Sequence, residues 1–224
     1  MYTPPMFKPD RAASLAFADA RGFGTACAWD GERPIASSLP FYLSFADDGT
    51  RVALFHVARH NPLIKAADGV TPWVLAVNGA DAYVTPDWYV SVDQVPTWLY
   101  QAVHLTGPVR TLDEAELVVQ IDTLSAKFEN RMAPKKPWTS AKMTAARLET
   151  LKKGIVGLAM RVEDVEGSFK LNQQKSEADY AALANGLAAR PDHGSQTIAQ
   201  LMRETRPQAF ASTKNETASL EGSM

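Results

Sequence analysis

The chain has 224 residues, 46% hydrophobic and 21% charged, the composition of an ordinary globular protein that can bury a sizeable core. Its 23 basic and 25 acidic side chains leave a formal charge of −2, so it lacks the positive excess that counterion release on a nucleic acid draws on. The chain shows no basic-then-apolar leader and no apolar run long enough to span a bilayer, so a cytoplasmic protein without membrane attachment is expected.

The elements follow in short succession. Asp10 is placed to cap a helix over Ala12–Ala20, whose Leu15, Phe17 and Ala18 share an inward face, and Gly22 and Gly24 end it. Strand-like runs follow at Phe23–Trp29, Pro34–Phe45, Arg51–Val57, Pro72–Val77, Asp81–Thr85 and Trp98–Leu112. Asp30-Gly31-Glu32 and Asp47-Asp48-Gly49-Thr50 supply hairpin turns between the first three. Six such runs joined mainly by tight turns favour an antiparallel barrel over parallel βαβ units.

A short helical piece, Asn61–Ala67, interrupts them, with Pro62 in its first turn. Acidic Asp113, Glu114 and Glu116 open a longer helix within Leu112–Met132, carried by the stripe Leu117, Val118, Ile121, Leu124 and Phe128. The basic, proline-rich Ala133–Trp138 reads as a solvated connector, Ser140–Leu151 as another helix, and Ile155–Val165 as the strand that closes the barrel. Two helices, Glu177–Arg190 and Ser195–Thr205, end the periodic sequence. The organisation expected is a barrel domain over 1–175, a helical extension packed on it over 176–210, and a disordered tail over 211–224, where few large apolar groups remain.

Cys27 is the only cysteine, which excludes an internal disulfide and a cysteine metal cluster; within Phe23–Trp29 it reads as a small buried thiol. His56 and His60 are the one i, i+4 histidine pair. They fall at a strand exit followed by Asn61-Pro62, where no helical face has formed, so no metal is expected. There is no Walker loop and no Rossmann glycine fingerprint.

Three segments hold side chains that a core does not need: His56-Val57-Ala58-Arg59-His60-Asn61-Pro62, Ala82-Tyr83-Val84-Thr85-Pro86-Asp87-Trp88-Tyr89 and Val95-Pro96-Thr97-Trp98-Leu99-Tyr100-Gln101-Ala102-Val103-His104. Imidazole, guanidinium, amide and indole groups at strand ends suit a planar ligand with an anionic tail, such as FMN. The start of the Asn61 helix beside Arg59 forms a phosphate seat in that reading. The plainer alternative has Arg59 paired with a surface carboxylate and Asn61 acting as a cap. Trp88 has a plain use as a core aromatic, and Lys170 as a solvated charge.

Read together with the Met-Tyr-x-Pro start and the closing Lys170-Leu171, these motifs make the chain resemble the FMN-binding negative transcriptional regulators, the PaiB-like family, from Met1 to about Arg190. The correspondences are His-x-Ala-Arg-x-Asn-Pro at His56–Pro62, Tyr-[Ile/Val]-[Ser/Thr]-Pro-x-Trp-Tyr at Tyr83–Tyr89, and Val-Pro-Thr-Trp-x-Tyr at Val95–Tyr100. Three positions depart from the family: Ser38 stands for the usual histidine, Leu99 for the usual asparagine, and Lys170–Gln174 reads Lys-Leu-Asn-Gln-Gln.

The resemblance implies an α+β fold, an antiparallel split β-barrel of the FMN-binding type with peripheral helices and a C-terminal helical segment, working as a homodimer with FMN at the subunit interface. By the same analogy Ser37, Ser38 and Leu39 lie along the flavin, Phe55 and His56 flank the ribityl chain, and Arg59, His60 and Asn61 hold the phosphate. Asn78 approaches the ring edge, while Trp98, Tyr100, His104 and Lys170 reach in from the partner subunit or the barrel rim. An apolar rim of Trp98, Leu99 and Val103 is the expected ground for dimerisation. The function implied is a negative transcriptional regulator or flavin-linked sensor, with DNA as a partner through that role though not through charge. A flavin-dependent oxidoreductase of a small substrate and a haem-binding barrel using His56, His60 or His104 are the alternatives.

Overall fold

The computed structural model describes residues 1–211; the expected tail, from residue 212 on, lies outside the described residues. Seven strands form an antiparallel sheet in the order β4-β1-β2-β3-β6-β5-β7, and β4 also pairs with β5, so the order closes on itself as a split barrel. Helices are peripheral. The chain divides into two compact units: Arg11–Val77 with Val103–Glu166, and Met1–Asp10 with Asn78–Ala102 and the chain from Gly167.

In the first of these, helix α1 (Arg11–Arg21) ends at Gly22, whose φ of +59° is the left-handed conformation that suits glycine. Strands β1 (Phe23–Trp29) and β2 (Pro34–Phe45) form a hairpin in which Thr25 faces Ser38 and Cys27 faces Ala36. Alternation sends Ala26, Ala28, Ile35, Leu39 and Phe41 into the core. Strand β3 (Arg51–Ala58) adds Ala53, Phe55 and Val57 to it, then turns into the single helical turn α2 (Leu63–Ala66). Helix α3 (Glu114–Glu129) carries a full capping box, Asp113 accepting from the Glu116 N–H and the Glu116 side chain accepting from the Asp113 N–H. It buries Leu117, Gln120 and Leu124; α4 (Ala145–Lys152) buries no residue.

Three expectations differ. Ser140–Leu151, expected as one helix, is a 3-10 turn at Ser140–Lys142 followed, after extended Met143 and Thr144, by α4. Pro72–Val77 and Asp81–Thr85 are one strand, β4 (Asp68–Val84), which runs through Asn78-Gly79 because its ladder partners outweigh the local turn preference. Ile155–Val165 is two strands, β6 (Ile155–Arg161) and β7 (Asp164–Lys170). The break at Val162-Glu163 is held by the Val162 N–H on the Arg51 carbonyl and the Glu163 N–H on the Thr106 carbonyl, each at 2.9 Å. Strand β5 (Thr97–Thr111) meets β6 at Gly107, where a Cβ would lie 1.7 Å from the Arg161 carbonyl oxygen.

The second unit has its own core. Ala82, Val84 and Leu99 pack on α5 (Glu177–Ala188) and α6 (His193–Thr205) through Tyr180, Leu183, Leu187, Ile198 and Met202. The Asp192 carboxylate caps α6 by accepting from the Ser195 N–H at 2.8 Å, so this helix starts two residues earlier than its apolar pattern suggests. Asp179, almost fully buried, accepts from the Val90 and Ser91 N–H groups and the Ser91 hydroxyl at 2.7–2.9 Å, which fixes the loop before β5. Leu99 and Val103 are fully buried, so the expected apolar rim is reduced to Trp98.

Candidate functional site

In the unit holding β1–β3, the end of β3 gathers several of the expected site residues. Arg59, His60 and Asn61 form one tight turn, closed by the Asn61 N–H on the Ala58 carbonyl at 2.8 Å. Asn61 uses both ends of its amide: Oδ1 accepts from the Leu63 N–H, and Nδ2 donates to the Ser37 hydroxyl, both at 2.9 Å. This brings Ser37 and Asn61 together although they are 24 residues apart.

Arg59 is held at its side edge. Its Nε donates to the Lys153 carbonyl and its Nη2 to the Ile155 carbonyl, the latter at 2.9 Å. The nearby carboxylates Glu149 and Glu114 are spoken for by Lys152, at 2.5 and 3.9 Å. Among the described residues no carboxylate pairs with Arg59, so an exposed guanidinium is fixed by neutral acceptors and its charge is left unmatched. That is the opposite of the plain surface ion pair and is suited to an anion.

The other expected residues of this unit divide by face. Leu39 and Phe55 are core side chains, Phe55 lying against Trp73 with ring centroids 6.5 Å apart, so they can offer a ligand only main-chain groups. Ser38 points outward beside Thr25, their hydroxyl oxygens 3.2 Å apart. His56 also leaves the core side and meets Gln120 of α3, with 3.3 Å between Nδ1 and Nε2. Burial holds its imidazolium down, Gln120 opposing this weakly; His104, half-buried on β5, is held down by burial as well. Gln120 was not foreseen as a site residue. Its helical spacing with Leu117 and Leu124 is visible in the sequence, whereas its burial and its unpartnered Oε1 are seen only in the structure.

In the second unit Trp98 stacks edge-on to Tyr83, with centroids 5.9 Å apart, and Lys170 donates to the Thr97 hydroxyl at 2.6 Å. Tyr100 is half-buried and Asn78 is exposed.

The outward side of the β1–β2 hairpin is made of small groups. Thr25 and Cys27 on β1 stand beside Ser38 and Ala36 on β2 and Ala76 and Val74 on β4. Between Phe23 and Trp29, which stand at its two ends, this face offers only small groups to a planar ring, and a turn with an unmatched guanidinium suits a phosphate, so the residues present fit FMN.

The fold is that of the FMN-binding split-barrel proteins. Residues 1–164 match the family described as "Putative FMN-binding domain". The chain is 31% identical over 205 residues to "Protease synthase and sporulation protein PAI 2" of Bacillus subtilis, covering 91% of this chain and 97% of that one. Two solved structures share the fold: the FAD and heme binding protein from Mycobacterium smegmatis and the flavocytochrome Anf3 from Azotobacter vinelandii. Each has a TM-score of 0.53 at 16% identity over 77% of this chain, with 78% and 73% of those chains covered. The chain belongs to the FMN-binding domain family of the PaiB type, and FMN is its cofactor. No helix among the described residues is long and apolar enough to cross a membrane.

Proposed function

We propose that the chain acts as a homodimer that holds FMN and serves as a negative transcriptional regulator or flavin-linked sensor. The observation that carries the cofactor half of this reading is Arg59, a cation positioned by two carbonyls and left without a carboxylate. In the proposal Arg59, His60 and Asn61 hold the phosphate, and Ser37, Ser38 and Leu39 lie along the ring. Phe55 and His56 flank the ribityl chain and Asn78 approaches the ring edge. Trp98, Tyr100, His104 and Lys170 are assigned to contacts made across the dimer. FMN, when bound, supplies a ring that accepts one or two electrons.

Support for dimerisation comes from β1. Phe23 and Trp29, 47% and 54% exposed, stand at the two ends of its outward side with the small residues between them, a surface that a monomer would leave wet. An isologous pair covers it twice. Light scattering at micromolar concentration tests this: a dimer is expected, and a monomer refutes it. For the regulatory half, the expected result is a sequence-dependent, salt-sensitive gel shift. Turnover of a reduced nicotinamide without any gel shift would replace regulator with oxidoreductase.

A further inference from the structure

At the end of β4, Asp81 and Tyr83 alternate with the buried Ala82 and Val84, and extended Thr85 just after it continues the pattern, so all three stand on one face. Trp98 of β5 meets Tyr83 there at an interplanar angle of 68°, and the two rings make an open corner. They are 48% and 54% exposed. The corner is one side of a cavity of about 470 Å³ whose other side is Trp88 and the α5–α6 turn with Arg190 and Asp192.

The walls are set by backbone. Asp192 caps α6, and Gly194 presses on the Asp81 carbonyl, where a Cβ would come within 2.6 Å. Trp88 is pinned on Gly186, where a Cβ would lie 2.7 Å from the indole. The charges do not balance. Arg190 has a carboxylate, Asp192, at 3.4 Å, whereas the Asp81 carboxylate has no hydrogen-bond or ion-pair partner among the described residues.

We propose that this cavity binds a small organic cation, a substituted ammonium group seated against Tyr83 and Trp98 with Asp81 as its counter-charge. The faces of aromatic rings attract cations, most strongly those with an apolar skin, and the unmatched carboxylate two residues from the corner adds the matching sign. An anion would meet Asp81 instead of a free cation. A metal ion would lack ligands, because no group of three metal-binding side chains occurs among the described residues. The inference does not rest on the flavin reading. Asp81 and Tyr83 are not assigned to FMN; Trp98 is shared, so the decisive variants are made elsewhere.

The test titrates choline into the ¹⁵N-labelled full chain and follows the tryptophan indole N–H resonances, with Trp98→Phe identifying its own signal. Its neutral isostere 3,3-dimethylbutan-1-ol is the comparison. Choline is expected to shift the Trp98 resonance saturably, and the isostere to bind at least about tenfold more weakly. Asp81→Asn should weaken choline at least about threefold, leave the isostere unchanged and leave the bound-flavin spectrum unchanged. Tyr83→Leu should weaken choline at least about fivefold; should that variant fail to fold, the isostere and Asp81→Asn comparisons decide. Equal binding of choline and isostere, indifference to Asp81→Asn, or no saturable shift at millimolar choline each overturns the proposal.

Discussion

Replacing Arg59 with Ala separates phosphate recognition from everything else the turn does. Its ε/η edge is committed to the Lys153 and Ile155 carbonyls, which leaves the end-on edge, Nη1 with the outer Nη2 proton, for a phosphate. A charge-assisted contact of that kind contributes about 1.5–3 kcal/mol, so the FMN dissociation constant should rise roughly ten- to a hundredfold. Lys153 is exposed and Ile155 half-buried, so water can replace the guanidinium on their carbonyls and the fold should lose only about 1–2 kcal/mol. Flavin fluorescence quenching, run in parallel with FMN and riboflavin, reads the difference. Riboflavin has no phosphate, so its affinity should change less than about threefold. Equal weakening of both flavins would place the phosphate seat away from this turn.

Three further outcomes follow from the packing. Gly107→Ala should destabilise by about 3 kcal/mol, because its Cβ would overlap the Arg161 carbonyl oxygen and the main chain would have to move; an unchanged melting temperature contradicts this close approach of the two backbones. Asp179→Ala should cost about 3 kcal/mol by stranding the Val90 and Ser91 N–H groups, measured by urea denaturation. The Asp179 carboxyl is held below its ordinary value first by the Ser91 N–H, so its contribution is present above the usual carboxylate range and is lost as pH falls through the lowered value. His56 is held down by burial and therefore favours the fold when neutral. Stability should decline as pH falls below about 6.5, less so in His56→Gln, and identical pH slopes in thermal melts would exclude this.

The parts of the fold legible in sequence were those written in local pattern. β1 alternates regularly, Asp30-Gly31-Glu32 marks the turn after it, and the ends of β1 and β2 match the sequence reading to the residue. The capping pair Asp113 and Glu116 likewise marks the start of α3. What escaped was decided by distant partners. Asn78-Gly79 looks like a turn in isolation and is strand within β4, which pairs with both β1 and β5. The same holds at the candidate site. The motif around Arg59 was visible, but its carbonyl acceptors lie 94 and 96 residues away, and no local signal links them. Tyr83 and Trp98 were visible too, but nothing local links them to Arg190, Asp192 and Ser195, which line their cavity from more than 90 residues away.

The central claim, that this split barrel carries FMN, is tested most directly by purifying the full chain, recording its absorption spectrum, and identifying any chromophore released on denaturation by chromatography. The two-band spectrum of an oxidised flavin and release of FMN are expected, with apoprotein taking up added FMN in preference to riboflavin. A haem spectrum, or a colourless protein that binds neither flavin on titration, would contradict it.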